Sequence, residues 1–410
     1  MTHGSTTKRV VVAAVSVAEL LTMSLWFSAT AIIPELTRDW QISTGVAAWL
    51  TMSVQLGFVA GALTSAALNL ADRFAVRKLF AVSALLGCAL SLATSAIPDA
   101  WYGRVAALLG LRFLTGFVLA GVYPPGMKLV AGWCKSDRGM CIGLLVGALT
   151  VGSSLPHLLA ASTATGNGLS WRMTVVFAAA LAATGAAVIW RWGHAGPHHA
   201  PARAFDWRHA LAGLKDRPPR LANFGYLGHM WELYAMWAWV PIVLVASYDA
   251  AGWSAPAARV AGCAVIAVGG VGAYLAGGWA DRFGRSTVTT VSLVVSGACA
   301  LVAGWLVASP LLFTVVCLVW GFAVVADSAQ FSAAVSELAD QRYVGTALTM
   351  QTCLGFLLTI VAIRFAAAVA EASSWGIAFS LLALGPLFGI VSMQRLRRLP
   401  EAAAMAGGRR

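Results

Sequence analysis

Charge is scarce in this 410-residue sequence: Asp, Glu, Lys and Arg make up 11% of it, against 59% hydrophobic residues and a mean hydropathy of +0.78. A soluble globular domain is nearer one-quarter charged, so that class is excluded. Acids are scarcest, 16 against 28 Lys and Arg, giving a formal net charge of +12. Such a balance could suit nucleic acid, but the basic residues lie in short loops between apolar runs, where they orient a membrane protein instead. Cysteine never clusters: Cys88, Cys134, Cys141, Cys263, Cys299, Cys317 and Cys353 stand singly, with no CxxC or Cys/His group. They read as small core residues, implying neither a metal site nor a disulfide framework. No G-x-x-x-x-G-K-[ST] loop is present to cradle ATP phosphates. Zinc and haem spacings are missing too, as is a nucleophile elbow. Neither a cofactor nor an enzyme activity is expected.

What the sequence has is long apolar runs. Residues 1–9 are polar and end in Lys8-Arg9; the run 10–33 is too long for a signal-peptide core and carries Glu19, so it reads as a retained first span. Further runs at 45–69, 78–97, 104–130, 139–162, 171–191, 221–247, 257–276, 287–308, 311–335, 344–369 and 374–394 bring the expected total to twelve. Each is near the ~20 residues needed to cross a bilayer. All must be helical, because lipid offers no partner to open backbone groups. Lys and Arg concentrate in alternate loops and both tails, while the opposite loops hold only Arg38, Arg104, Arg172 and Arg259. That bias puts both termini in the cytoplasm of a multi-pass protein of the inner, cytoplasmic membrane. The connection 192–220, rich in Pro, His and Arg, is the natural boundary between units 1–191 and 221–410. Its His194, His198, His199 and His209 read as a solvated basic linker rather than a metal tract.

A polar turn organises the second unit: Gly277–Ser286, G-G-W-A-D-R-F-G-R-S, wedged between two apolar runs. An echo lies 209 residues earlier, L-N-L-A-D-R-F-A-V-R-K at 68–78, pairing Asp72 with Asp281, Ala71 with Ala280, Arg73 with Arg282 and Phe74 with Phe283. Repeats at half the chain length build many transporters. The turn resembles the loop G-x-L-A-D-R-x-G-R-K between the second and third spans of the major facilitator superfamily. The second copy is close, with Gly277, Asp281, Arg282, Gly284 and Arg285. The first departs at Leu68 and Ala75, in place of glycines, and at Val76, in place of the first basic residue. The segment L-R-F-L-T-G-F-V-L-A-G at 111–121 similarly resembles that superfamily's fourth-span motif, with Arg112, Gly116 and Ala120 matching. The resemblance implies an all-α integral membrane fold of twelve transmembrane helices in two pseudo-symmetric six-helix bundles. It also implies secondary transport by alternating access, with the two loops as gates.

Ionisable groups inside spans are functional candidates by default, since holding them there costs several kcal/mol. Scanning the runs finds Glu19 in the first, Arg112 in the fourth, His229 and Glu232 in the seventh and Asp327 in the tenth. These are the four spans that line the central cavity in proteins of the resembled family. Glu19 is the first candidate partner for Arg112 and Asp327 the second. His229 and Glu232, three apart, share a helix face and suit proton coupling. Trp231, Tyr234, Trp237 and Trp239 surround them and could stack on a planar or cationic solute, or simply pack. Gln330 extends the polar turn around Asp327. His157, Arg364 and Lys128, near helix ends, read as snorkelling or capping.

The cavity charges are mildly acidic in balance, and the second span lacks the arginine that the superfamily's nitrate porters carry. The fifth-span region Gly147–Pro156 has glycines and a proline but not the G-P-x-x-G-G order of drug/proton antiporters. The expectation is therefore a proton-coupled carrier of a small organic solute. Efflux by proton antiport and uncoupled uniport remain as alternatives. Partners are the solute, protons and the bilayer, with no nucleic acid, and the carrier is expected to be a monomer.

Overall fold

In hydrocarbon an unpartnered backbone N–H or C=O costs several kcal/mol, and the long apolar runs among the described residues fold as helix, the first of them with a break. The computed structural model describes residues 2–134, 138–163, 171–198, 205, 206, 209, 212–340 and 342–409. Lys135, His199, Arg203, Arg208 and Arg410, and the side chain of Arg138, lie outside them. Eleven helices among the described residues are long and apolar enough to cross a membrane. In order, as the second to seventh spans, they are Thr44–Ala67, Val76–Ser95, Arg104–Trp133, Gly139–Ser162, Trp171–Trp192 and Arg217–Ala250. The eighth to twelfth are Ala255–Phe283, Arg285–Leu306, Pro310–Leu338, Val344–Ala372 and Trp375–Arg397.

The first span is not the single helix expected over 10–33. It runs Thr2–Met23, breaks through turns at 24–29 and a 3-10 turn Thr30–Ile32, and resumes as a separate helix Ile33–Trp40. Ser24 and Ser28 begin the reason: both hydroxyls turn back onto the carbonyl of Leu21 or Leu25, a local bond that competes with helix.

Six spans precede the linker and six follow it, packed as two bundles that meet along two seams. The fifth span lies against the eighth, and the second against the eleventh. Small residues make the first seam close. A Cβ on Gly147 would come within 2.7 Å of the Gly270 carbonyl oxygen, and one on Gly270 within 2.8 Å of that of Gly147. Backbones that near exclude any side chain, as small-residue helix contacts in membranes require.

The linker is anchored at both ends. The Trp133 indole donates to the His194 carbonyl at 2.8 Å, and His198 N–H to that of Gly132 at 3.0 Å. His209 meets Asp206 at 2.9 Å and stacks on Tyr343 of the second bundle. His194 and His209 thus go to different bundles, and the described residues include no His/Cys/Asp/Glu group able to hold a metal ion.

One expectation about the thiols fails. Cys134 and Cys141 are joined as a disulfide, with Cα atoms 6.6 Å apart, between the end of the fourth span and the start of the fifth. They sit at the end of one helix and in the first turn of the next, which no CxxC-type spacing announces.

Overpacking the seam should be costly. Gly147→Val should lower the thermal midpoint of the purified protein, by a destabilisation of about 1–3 kcal/mol. Gly278→Ala, whose Cβ would enter open space, should leave the midpoint unchanged. Equal midpoints for the two variants would contradict the close seam.

Candidate functional site

Among the described residues four spans break at mid-length, the twelfth at Ala383, and the breaks of the other three meet. The first breaks at 24–29; the fourth between Arg104–Leu119 and Tyr123–Trp133; the tenth between Pro310–Ala326 and Ser328–Leu338, with Asp327 at the joint. Trp26, Tyr123 and Ser328, one from each break, line a cavity between the bundles. Tyr234 and Trp237 of the seventh span line it as well. Its volume is about 60 Å³, far below the ~300 Å³ at which drug-sized sites begin. This is a closed conformation. Rings from the two bundles pair across it: Phe58 with Phe356 at 4.7 Å between centroids, Trp26 with Phe356 at 5.4 Å, Phe27 with Trp237 at 5.8 Å. Such pairs contribute ~0.5–1.5 kcal/mol each beyond their buried area.

Arg112 does not pair with Glu19 or Asp327. Its Nη1 donates to the Leu25 carbonyl at 3.0 Å and to Ser28 Oγ at 3.1 Å, and its Nη2 donates to the Trp26 carbonyl. The break in the first span frees these carbonyls, and a buried guanidinium is met by the nearest dense set of acceptors. Glu19, fully buried in the intact part of that span, lies against Gly126, where a Cβ would come within 2.8 Å of Oε2. Neither of its carboxylate oxygens has a hydrogen-bond partner among the described residues.

His229 and Asp327 come together. Nδ1 lies 2.8 Å from Oδ1, and each side chain is 1% exposed. The separation is that of an ion pair, while the angle falls outside hydrogen-bond geometry, so the contact is read as electrostatic. Glu232, expected on the same face as His229, points elsewhere. It accepts from Ser296 at 2.9 Å and from the Trp320 indole at 2.6 Å, inside the second bundle. Two buried donors satisfy that carboxylate better than a histidine already engaged by Asp327. Gln330 also turns from the cavity and accepts from Arg285 at 2.8 Å. Trp231 packs on Phe365 and Trp239 donates to the Ile363 carbonyl, so both act within the second bundle.

The two polar turns lie at the end of the molecule that carries the linker. The Asp281 carboxylate lies over Gly139, in the first turn of the fifth span, where a Cβ would come within 2.6 Å of it. A carboxylate suits a helix N-terminus, and this contact crosses between bundles. Gly277 packs on the same point, its Cβ position 2.8 Å from the Gly139 carbonyl oxygen, and Gly284 turns the chain at φ +91°. Arg282 stacks on Phe283. Arg285, only 3.9 Å from Asp281, is held by Glu337 through bonds of 2.8 and 2.6 Å. In the first copy Asp72 meets Lys128 at 2.5 Å, while Arg73 is exposed. Lys128 and Glu337 are themselves 209 residues apart. Each turn is thus pinned to the linker end of the fourth or tenth span with the signs exchanged. The tail adds a cover: Ala406 N–H donates to Glu337 at 3.2 Å, and Arg409 reaches the Asp281 carbonyl.

The opposite end closes through residues that sequence reasoning did not pair. Arg259 of the eighth span donates to Glu35 of the short helix Ile33–Trp40, and to the Ala31 carbonyl at 3.4 Å, across the bundles. His157, expected to snorkel, is instead buried and within electrostatic reach of Arg259. The short helix is fixed to its own bundle by Trp40, whose indole donates to Asp99 at 2.7 Å. Arg172 donates to the same oxygen at 2.8 Å, and these bonds hold the Asp99 carboxyl below its ordinary range. The only sequence signal was an isolated acid at Glu35, just past an apolar run, and an isolated arginine at the edge of another.

A family model described as Major Facilitator Superfamily matches residues 15–362. The niacin transporter NiaP of Acinetobacter baylyi (strain ATCC 33305 / BD413 / ADP1) is 32% identical over 136 residues, 31% of this chain and 29% of that protein. A proton:xylose symporter, XylE, solved with 6-bromo-6-deoxy-D-glucose, superposes with a TM-score of 0.69 over 96% of both chains at 14% identity. An inward-facing, unoccupied bacterial homolog of the human lysosomal transporter Spinster superposes at 0.67 over 98% of both, again at 14%. At that identity the likeness shows the fold of two six-helix bundles.

Since Arg112 is met by main chain rather than by Glu19, the two should act independently. In a double-mutant cycle of Arg112→Gln and Glu19→Gln, read by thermal unfolding, the coupling should stay within about 0.5 kcal/mol. A coupling of about 2 kcal/mol or more would restore the carboxylate pairing.

Proposed function

The chain belongs to the major facilitator superfamily, and on that premise we propose that it is a proton-coupled secondary transporter carrying a small organic solute by alternating access. The observation that carries the coupling is the His229–Asp327 pair, buried at the joint of the tenth span and beside the cavity. Ser328, next to Asp327, and Tyr226, one turn from His229, both line the cavity. An imidazolium–carboxylate ion pair that takes up one proton on its carboxylate loses its mutual attraction. Loading that proton loosens the seventh span from the joint at which the tenth can bend, so protonation and cavity shape change together. Glu19 is a second proton site in this reading, since a proton there removes an uncompensated buried charge. Glu232 is a satisfied carboxylate that stabilises the second bundle.

The two ends close by separate contacts, which alternating access requires: Asp281 on the fifth span at the linker end, Arg259 with Glu35 at the other. The Lys and Arg bias places the linker end, with both termini, in the cytoplasm, and the chain works as a monomer in the cytoplasmic membrane. Niacin and xylose, the solutes named for two of its relatives, both fall in the small-organic class.

Proteoliposomes given a panel that includes niacin and xylose, with and without an imposed pH gradient, test this reading. Asp327→Asn should abolish gradient-driven accumulation and keep solute exchange, whereas Glu232→Gln should still accumulate. Normal accumulation by Asp327→Asn, or wild-type accumulation indifferent to a collapsed gradient, would defeat the proposed coupling.

A further inference from the structure

Around the cavity the lining changes character from what stands behind it. Arg112, Glu19, His229 and Asp327 are all buried nearby, yet none of the described residues that line the cavity is Asp, Glu, Lys, Arg or His. The largest side chains of the wall are rings, Trp26, Phe58 and Tyr123 from the first bundle and Tyr226, Tyr234, Trp237 and Phe356 from the second, with the small hydroxyls of Thr150, Ser328, Ser332 and Thr352 between them. In the closed form these rings use each other as partners across the seam, Trp26 with Tyr234 at 6.0 Å and with Phe356 at 5.4 Å, Phe58 with Phe356 at 4.7 Å. The bundles cannot part without separating those pairs.

Two donors are left over. The indole N–H groups of Trp26 and Trp237, both buried, have no hydrogen-bond partner among the described residues. A buried donor without an acceptor is costly and uncommon, and these two belong to opposite bundles and to the same wall.

We infer that the cavity selects flat ring compounds that carry a hydrogen-bond acceptor and no negative charge. A flat ring entering between the bundles replaces the ring partners that each wall loses when they part. Its acceptor, a carbonyl or ring nitrogen, satisfies an indole N–H. A fixed negative charge would find no counter-charge in the wall, only the negative faces of rings and neutral hydroxyls. The inference uses the transport reading only to say that the solute occupies this cavity, and it does not depend on proton coupling.

The test is saturable thermal stabilisation of the purified full chain by three probes: benzamide, cyclohexanecarboxamide, which keeps the acceptor and loses the flat ring, and benzenesulfonate, which keeps the ring and adds a fixed negative charge. Benzamide should act at an at least about tenfold lower concentration than either of the others, the worth of one to two ring contacts. Trp237→Phe and Trp26→Phe keep a ring and remove the donor. Each should weaken benzamide about three- to tenfold, while the preference over cyclohexanecarboxamide persists. Equal action of benzamide and cyclohexanecarboxamide, no stabilisation by benzamide, or stabilisation unchanged in both tryptophan variants would overturn the inference. If benzamide fails while xylose accumulates under a pH gradient, the solute class falls and the transport reading stands. If benzamide binds as expected and no gradient drives its uptake, the proton coupling falls and the solute class stands.

Discussion

A guanidinium buried in a helical membrane protein with no carboxylate beside it must be met by something, and an unbroken helix has no free carbonyls to offer. Arg112 is met because the first span comes apart at 24–29 and turns the carbonyls of Leu25 and Trp26 toward it. Much of the rest depends on that arrangement. Trp26 is the cavity wall, and the helix Ile33–Trp40, continuing from the break, carries Glu35 to the far end. One arginine on the fourth span therefore positions both a face of the cavity and the element that closes one mouth. A continuous first helix would have left Arg112 unsatisfied and Glu35 without a route to Arg259.

The two ends of the molecule solve the same closure problem differently. At the linker end the bundles touch through main chain and small residues, Gly139 with Gly277 and Gly147 with Gly270, with the Asp281 carboxylate on a helix N-terminus. Such a contact has little side chain to rearrange and suits a repeatable docking of backbones. At the far end the closure is an ion pair of long side chains, Arg259 with Glu35, both largely buried. The exchange of signs between Asp72–Lys128 and Arg285–Glu337 shows how the repeat drifted while keeping its architecture. Val76 stands 209 residues before Arg285, as Lys128 does before Glu337, so a basic residue there would face a like charge. Asp72 thus works inside its own bundle and Asp281 between bundles.

Sequence alone was informative wherever hydrocarbon imposes a rule. Eleven helical spans, and the placing of Glu19, Arg112, His229, Glu232 and Asp327 within four spans, follow from the cost of charge and open backbone in lipid. It was blind where a choice among partners is made in three dimensions. Glu19 was a reasonable partner for Arg112 by span and depth, but Ser24 and Ser28 broke the helix and supplied nearer acceptors. His229 and Glu232 were three residues apart on one helix, but Asp327 on one side and Trp320 with Ser296 on the other drew them apart. Cys134 and Cys141 join two helix ends, which their spacing does not announce, and Glu35 with Arg259 span the bundles without any motif. Tyr234 and Trp237, marked out only as aromatic neighbours, line the cavity because the seventh span turns that face to the other bundle.

The central claim is that each mouth is held by its own contact, so that one can open while the other stays shut. Distances between spin labels test it, with one pair at Arg73 and Phe283 reading the linker end and another at Asp39 and Ala250 reading the far end, all four exposed. Asp281→Ala should lengthen the linker-end distance and leave the far-end distance unchanged, and Glu35→Gln should do the reverse. Lengthening of both distances by either variant, or of neither by both, would contradict the account.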